Sequence, residues 1–162
     1  MEKIALHQCA TLLIDQKLTI AFAESATAGR LAAEFSLVKD AGKFLKGGLI
    51  CYDAYLKEDL LAVPHELIEK YTPESAEVTK AITRGLQKLI EADLHIGVTG
   101  LPAAGGSETA EKPVGTMFIC GMHNGTEIFN KRITFDGNPE EIIVKTVSHT
   151  ATMLISYLKK FN

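Results

Sequence analysis

The segment from residue 18 to residue 37 places the strongest constraint on the fold, because two kinds of periodicity meet there across a short polar turn. Leu18 to Ala23 is an apolar run suited to a strand, and the residues after Gly29 repeat apolar side chains at helical spacing as far as Leu37. The sequence therefore predicts a strand that turns sharply into a helix. Such a turn brings a hydroxyl group and several free backbone N–H groups to one point.

Two interpretations of the hydroxyl residues in this turn are open. Ser25 can be a nucleophile, with the backbone N–H groups of Thr27 to Gly29 holding the oxyanion of an acyl-transfer reaction. Alternatively, Ser25 or Thr27 only caps the helix and Gly29 relaxes the turn.

Two further predicted strands end in residues that can carry chemistry. Gly47 to Tyr52 reads as a buried strand, and Lys57 follows it. A lysine at the mouth of a strand can act as a general base if burial lowers its pKa from about 10.4 towards about 7–8. A third strand, from residue 96 to residue 100, ends in Thr99 and a glycine. Three such strand ends predict one site at one edge of a sheet.

The remaining periodicity predicts a continuous succession of elements. Asn124 and Gly125 mark a hairpin between two strands, and Asn138 caps the last helix with Pro139 in its first turn. The expected elements are helices over 3–16, 29–37, 57–61 and 74–92, the last of these capped by Thr72 or Ser75, and strands over 18–23, 45–52, 94–99, 114–122 and 126–135.

Composition limits the function classes. A chain of 162 residues with 46% hydrophobic side chains suits one domain over residues 1–162. A formal net charge of −3 gives no electrostatic footprint for nucleic acid. No signal peptide and no apolar run near the ~20 residues of a membrane span is found, so we expect a cytoplasmic protein without a membrane partner. The cysteines at 9, 51 and 120 lack the spacing of metal ligands, and we expect no metal site.

Four motifs, in this order and at matching separations, carry a resemblance to a known family. They are Ala23-Glu24-Ser25-x-Thr27-x-Gly29, Gly48-x-x-x-Tyr52-x-x-x-x-Lys57, Val98-Thr99-Gly100 and Glu111-Lys112-Pro113-Val114-Gly115-Thr116. The chain resembles the C-terminal domain of the competence/damage-inducible CinA proteins, the nicotinamide-nucleotide amidohydrolases. The resemblance implies an α/β layered sandwich with a mixed sheet flanked by helices, and a homodimer. It also implies hydrolysis of the carboxamide of nicotinamide mononucleotide, a small-molecule nucleotide substrate, without metal or other cofactor.

The resemblance assigns roles residue by residue. It places Ser25 as nucleophile and Lys57 as base, with Tyr52 and Thr99 as supporting hydroxyl groups. From the residue types, we expect the N–H groups of Thr27 to Gly29 to hold the oxyanion. We also expect the loop of Gly105 and Gly106 to offer backbone N–H groups to the substrate phosphate, together with the charge of Lys112. Two simpler interpretations stay open: Lys112 as a solvated loop lysine, and Tyr52 as a core aromatic at a strand end.

Departures from the family pattern leave the substrate open. Pro139 stands where the family has an arginine, Ala26 and Ala28 replace cysteine and glycine, and the loop over 100–110 is rebuilt. Lys145, further along the same helix, is a possible substitute for the arginine, although an ammonium lacks the planar fork of a guanidinium. Two alternatives to nicotinamide mononucleotide hydrolysis follow: a nucleotide-binding module without turnover, and an amidase with a changed substrate.

Overall fold

A mixed sheet of five strands forms the centre of the molecule. The computed structural model describes residues 2–161. The strand order is β2-β1-β3-β4-β5, in which β2, β1 and β3 are mutually parallel and β4 and β5 are antiparallel to their neighbours. The strands are β1 (Ile20–Glu24), β2 (Leu45–Ile50), β3 (Leu94–Gly100), β4 (Thr116–His123) and β5 (Thr126–Thr134).

Helices cover both faces of this sheet. They are α1 (Glu2–Asp15), α2 (Arg30–Ser36), α3 (Ala54–Leu61), α4 (His65–Tyr71), α5 (Ala76–Leu89) and α6 (Pro139–Leu158). Because side chains alternate along a strand, Phe22 packs in one core with α1, α2 and α6, while Ala21 and Ala23 pack in the other with α3, α4 and α5. The α/β layered sandwich with a mixed sheet is thereby confirmed.

The local signals for the hairpin and for the last helix are also confirmed. Asn124 and Gly125 have φ values of 46° and 82°, the left-handed conformation that a two-residue hairpin turn requires. The side chain of Asn138 accepts from the Glu141 N–H while the Glu141 carboxylate accepts from the Asn138 N–H, so α6 begins with a capping box. Ser75, one of the two predicted caps, accepts from the Val78 N–H at the start of α5.

The expectation of a buried second strand was wrong. β2 lies at the edge of the sheet, and its side chains alternate between half-buried and exposed. A hydrophobic run resembles a buried strand whether it is central or at an edge, because order within a sheet depends on partners distant in sequence. Within residues 2–161, no helix has the length and apolar character needed to cross a membrane.

A glycine allows α3 to approach α5 closely. A Cβ at Gly85 would lie 2.2 Å from the Leu61 backbone oxygen and 2.8 Å from the Leu61 Cβ. Leu61 is the last residue of α3 and is 2% exposed. This contact packs α3, the helix that carries Lys57, against α5 at Gly85.

We predict that Gly85→Ala destabilises the protein by about 1–3 kcal/mol, the usual cost of overpacking a core, although alanine is the better helix former. Urea unfolding measures the change. Gly42→Ala is the matched control, because nothing lies within 4 Å of a Cβ at Gly42. A Gly85→Ala protein as stable as the parent would contradict the close packing of α3 on α5.

Candidate active site

The carboxyl ends of the three parallel strands meet at one point. Glu24, the last residue of β1, pairs with Ile50 of β2 on one side and with Val98 of β3 on the other. The Ser25 N–H donates to the Val98 oxygen at 3.0 Å, and the Cys51 N–H donates to the Glu24 oxygen at 2.8 Å. Ser25 therefore lies between the residues that follow β2 and the end of β3, at the edge of the sheet where parallel α/β sheets bind ligands.

A buried carboxylate fixes the turn that contains Ser25. Glu24 is 1% exposed, and its carboxylate accepts four hydrogen bonds: from the Thr27 hydroxyl at 2.7 Å and from three backbone N–H groups, at Gly29 and Leu31 (3.0 Å each) and at Ala32 (2.8 Å). These N–H groups are at the start of α2 and have no partner within the helix. Glu24 thus replaces the hydroxyl cap that the sequence indicated.

The Glu24 contacts change which groups are free to bind an oxyanion. The Thr27 hydroxyl and the Gly29 N–H donate to Glu24, and the Ala28 N–H donates to the Ser25 oxygen at 3.1 Å. Within the described residues, the backbone N–H groups of Ala26 and Thr27 have no acceptor, although both residues are buried. Buried N–H groups are rarely left unpaired, so these two are the donors that the turn offers to a ligand.

The hydroxyl of Ser25 is also without a partner among residues 2–161, and the residue is only 6% exposed. Its backbone is held at both ends, by the Val98 oxygen and the Ala28 N–H. The side chain does not cap α2, because Glu24 does. Ser25 therefore presents an uncommitted hydroxyl on a rigid turn.

Lys57 is the largest charged side chain in the core, at 1% exposure. It lies on α3, whose N-terminus is capped by Asp53, and its Nζ donates to the Cys51 oxygen at 2.7 Å and to the Tyr52 oxygen at 3.2 Å. Burial lowers the pKa of Lys57 below its ordinary 10.5, while the thiolate form of Cys51 and the carboxylates of Glu74 and Asp53 raise it less. A neutral amine uses its two protons on these two carbonyls and keeps a lone pair free.

Lys57 is connected to the Ser25 turn through Cys51, and no hydrogen bond joins Lys57 to Ser25 directly. Cys51, which accepts from Lys57, is bonded to Glu24 next to Ser25. Catalytic hydrogen bonds are often long in the absence of a ligand. Cys51 itself is not an alternative nucleophile, because burial raises the pKa of its thiol to about 11.

The two predicted supporting hydroxyls have different surroundings. The Tyr52 side chain is 66% exposed, and it is the Tyr52 carbonyl that contacts Lys57. The Thr99 hydroxyl is fully buried and lies 2.9 Å from the Thr79 hydroxyl, which itself donates to the Ser75 oxygen. The Thr99 proton is therefore directed at Thr79, which leaves the Thr99 oxygen as an acceptor.

A cleft of about 200 Å³ opens over Ser25. Its walls are Ser25, Ala26, Tyr52, Glu74 and the loop from Gly100 to Gly106. Among these described lining residues Glu74 is the one with a charged side chain. Sequence reasoning had not identified Glu74, because it lies far from the motifs and no local pattern places it at the cleft.

The loop residues expected to bind phosphate already have partners within the protein. The Lys112 ammonium donates to the Thr72 hydroxyl at 2.5 Å, the Glu74 backbone carbonyl oxygen at 2.8 Å and the Ser107 hydroxyl at 2.7 Å. The Ser107 hydroxyl in turn donates to the Glu74 carboxylate. Lys112 is thus a clamp between the loop and the segment before α5, rather than a solvated lysine.

The Gly105 and Gly106 N–H groups donate to the carboxylate of Glu108 at 2.8 Å and 2.9 Å.

At the start of α6, Pro139 occupies the first turn, and the Lys145 ammonium donates to the backbone carbonyl oxygen of Asp136. In the described chain, no group of three His, Cys, Asp or Glu side chains is placed to hold a metal ion.

Comparisons with known proteins agree with the motifs. The chain matches the family described as CinA C-terminal domain over residues 2–158. CinA-like proteins of Thermotoga maritima and Desulfotalea psychrophila are each 34% identical to it, over 148 and 146 residues. These alignments cover 91% and 90% of this chain but 36% and 35% of the relatives, so the chain spans little more than a third of their length. The crystal structure of the competence damage-inducible protein A from Klebsiella pneumoniae is similar, with a TM-score of 0.93, 25% identity and 99% coverage of both chains.

We predict that Glu24→Gln destabilises the protein by about 1.5–3 kcal/mol, the worth of a hydrogen bond to a charged group. An amide has one accepting oxygen, so its NH2 group must face at least one donor of the turn. Urea unfolding is the measurement, with Glu34→Gln as control, because the exposed Arg30–Glu34 pair contributes no more than about 1 kcal/mol. Equal stability of the two variants would contradict this role for Glu24.

Proposed function

Since the chain belongs to the CinA C-terminal domain family, we propose that it hydrolyses a carboxamide with Ser25 as nucleophile and Lys57 as base. The candidate reaction that the resemblance implies is conversion of nicotinamide mononucleotide to nicotinate mononucleotide and ammonia. Two observations carry the proposal: the buried Lys57 amine is held on the carbonyls of Cys51 and Tyr52, and the Ser25 hydroxyl at the adjoining strand end bonds nothing in the described chain. Ammonia release from nicotinamide mononucleotide by the purified protein tests it.

The first half of the reaction forms an acyl-enzyme. The Ser25 oxygen bonds to the carboxamide carbon as its proton passes to the neutral Lys57 amine, and the C=O electron pair moves onto oxygen. The N–H groups of Ala26 and Thr27 donate to that oxyanion. When the tetrahedral intermediate collapses, the C–N bond breaks and the Lys57 proton leaves with ammonia.

The second half returns the enzyme to its starting state. Water attacks the acyl carbon and gives a proton to Lys57, and the Ser25 oxygen then leaves as the carboxylate product forms. Lys57 returns that proton to Ser25. Thr99 has only an accepting oxygen to offer, which suits the NH2 group of the substrate. Tyr52 lines the cleft, where its exposed ring can cover a flat substrate.

Two other features belong to the proposal. The homodimer rests on the resemblance alone, and light scattering on the purified protein tests it; the cytoplasmic location rests on the sequence features given above. A binding module without turnover is the alternative that Pro139 favours, since the arginine of the family is missing. Binding of nicotinamide mononucleotide without ammonia release would support that alternative.

We predict that Ser25→Ala lowers kcat/KM by roughly a thousandfold or more, in keeping with the loss of a nucleophile, while the protein stays folded. The Ser25 hydroxyl makes no hydrogen bond in the described chain, so its removal leaves no partner unpaired. Ammonia release and thermal unfolding are the two measurements. Ser36→Ala, which removes an exposed hydroxyl on α2, is the control and should change neither. Full activity in Ser25→Ala excludes Ser25 as the nucleophile.

For Lys57 we predict that kcat/KM rises with pH and levels off at a pKa below 10.5, because only the neutral amine accepts a proton. Lys57→Arg should be as inactive as Lys57→Met, since a guanidinium stays protonated. Activity in Lys57→Arg comparable to the parent would make Lys57 a charge contact.

The lowered pKa of Lys57 also affects stability. The unfolded chain binds more protons than the folded protein between the folded pKa and 10.5, so folding of the parent gains free energy as pH rises through this window. Lys57→Met removes this dependence, so its stability relative to the parent should be greater below the window than near pH 10. Urea unfolding at both pH values measures the difference. Lys46→Met, at an exposed position of β2, is the control and should show no such trend.

A further inference from the structure

The turn at Gly105 and Gly106 has the geometry of a small anion site. Gly105 has φ 103°, and the N–H groups of both residues point to the same carboxylate, one to each oxygen of Glu108. Successive N–H groups that converge in this way bind phosphate in many proteins. Here the anion is a side chain of the protein itself. Both glycines also line the cleft over Ser25.

A second carboxylate faces the same turn. A Cβ built on Gly106 would lie 3.7 Å from Glu74 Oε1 and 3.8 Å from Glu108 Oε2, so the two carboxylates flank Gly106. Glu74 is also the charged residue among the described lining of the cleft. Two carboxylates therefore lie at this end of the cleft, and the Ser107 hydroxyl joins one of them, that of Glu74, to the Lys112 ammonium.

The two lysines named for a phosphate contact, Lys112 and Lys145, already donate to acceptors within the protein. Each of the three ammonium protons of Lys112 has an acceptor within the protein, and Lys145 donates to the Asp136 oxygen. Pro139 supplies no charge. A phosphate entering the turn would have to displace Glu108 from both N–H groups, and the protons of the Lys112 ammonium are already donated to Thr72, Glu74 and Ser107.

We infer that Glu108 determines the substrate class of this cleft: its carboxylate occupies the anion position, and the site selects neutral or cationic carboxamides that lack a phosphate group. This inference rests on the proposed amidase function and changes its expected substrate. Nicotinamide riboside has the required chemistry, because it carries the carboxamide on a cationic ring and has no phosphate.

Glu108 remains ionised under the conditions in which it would act. The N–H bond from Gly105, with further help from the N–H groups of Glu108 and Gly106, lowers the pKa of its carboxyl. At neutral pH the carboxylate therefore repels a phosphate dianion, and solvent screens but does not remove that repulsion.

The test compares Glu108→Gln with Glu111→Gln. Both changes remove one negative charge from the same loop, but only the first takes it from the glycine N–H groups; among the described residues, the Glu111 side chain has no hydrogen bond. Isothermal titration calorimetry measures binding of nicotinamide mononucleotide, nicotinamide riboside and inorganic phosphate to the parent and to each variant. Thermal unfolding shows that the variants are folded.

We expect the parent to bind the riboside more tightly than the mononucleotide. Glu108→Gln should strengthen binding of the mononucleotide and of phosphate roughly tenfold, a factor that corresponds to about 1.4 kcal/mol, and leave the riboside within about twofold. Glu111→Gln should change all three by less than about twofold. Preference of the parent for the mononucleotide, or equal gains in both variants, would overturn the inference.

The phosphate titration separates this inference from the proposed amidase function. If neither nicotinamide compound is bound or hydrolysed, the proposed function fails. The role of Glu108 is then decided by phosphate alone: a gain limited to Glu108→Gln supports the occupied anion site, and no gain overturns it.

Discussion

The structure of the site depends on one buried carboxylate. Among the described residues, Glu24 forms no ion pair; its carboxylate accepts from one hydroxyl and three backbone N–H groups. A carboxylate at a helix N-terminus is favoured by the dipoles of the peptide groups, and here it also joins the end of β1 to α2. Because each of its hydrogen bonds fixes part of the turn, the Ser25 hydroxyl and the N–H groups of Ala26 and Thr27 are left without a partner among the described residues. The uncommitted donors of the site are a consequence of this arrangement.

The order of elements could be predicted from the sequence because each element has a local signal. Asn124 and Gly125 require a hairpin turn whatever surrounds them, and the Asn138 to Glu141 capping box sets the start of α6. The position of β2 could not be predicted in this way. Its apolar residues are the same whether it is central or at an edge, and its place is decided by pairing with β1.

The site was predictable to the level of residues but not of contacts. Ser25 and Lys57 are brought to the same strand ends, as the motif order indicates. The hydrogen bonds of Glu24, Lys112 and Glu108 were not foreseen, because each depends on a backbone group whose direction is set only in the folded chain. Backbone donors and acceptors leave no trace in the residue types, so a sequence shows which side chains are available and not which are already occupied.

The burial of Lys57 is the feature that argues against a module without turnover. Burial lowers the pKa of the Lys57 amine, so keeping this side chain inside the protein costs free energy, and binding of a ligand alone does not require it. In contrast, Pro139 leaves the family's arginine position without a charge, and the Glu108 carboxylate occupies the N–H groups of Gly105 and Gly106. For the proposed reaction, the groups that would perform amide hydrolysis are thus present, and the groups that would hold a phosphate are replaced or occupied.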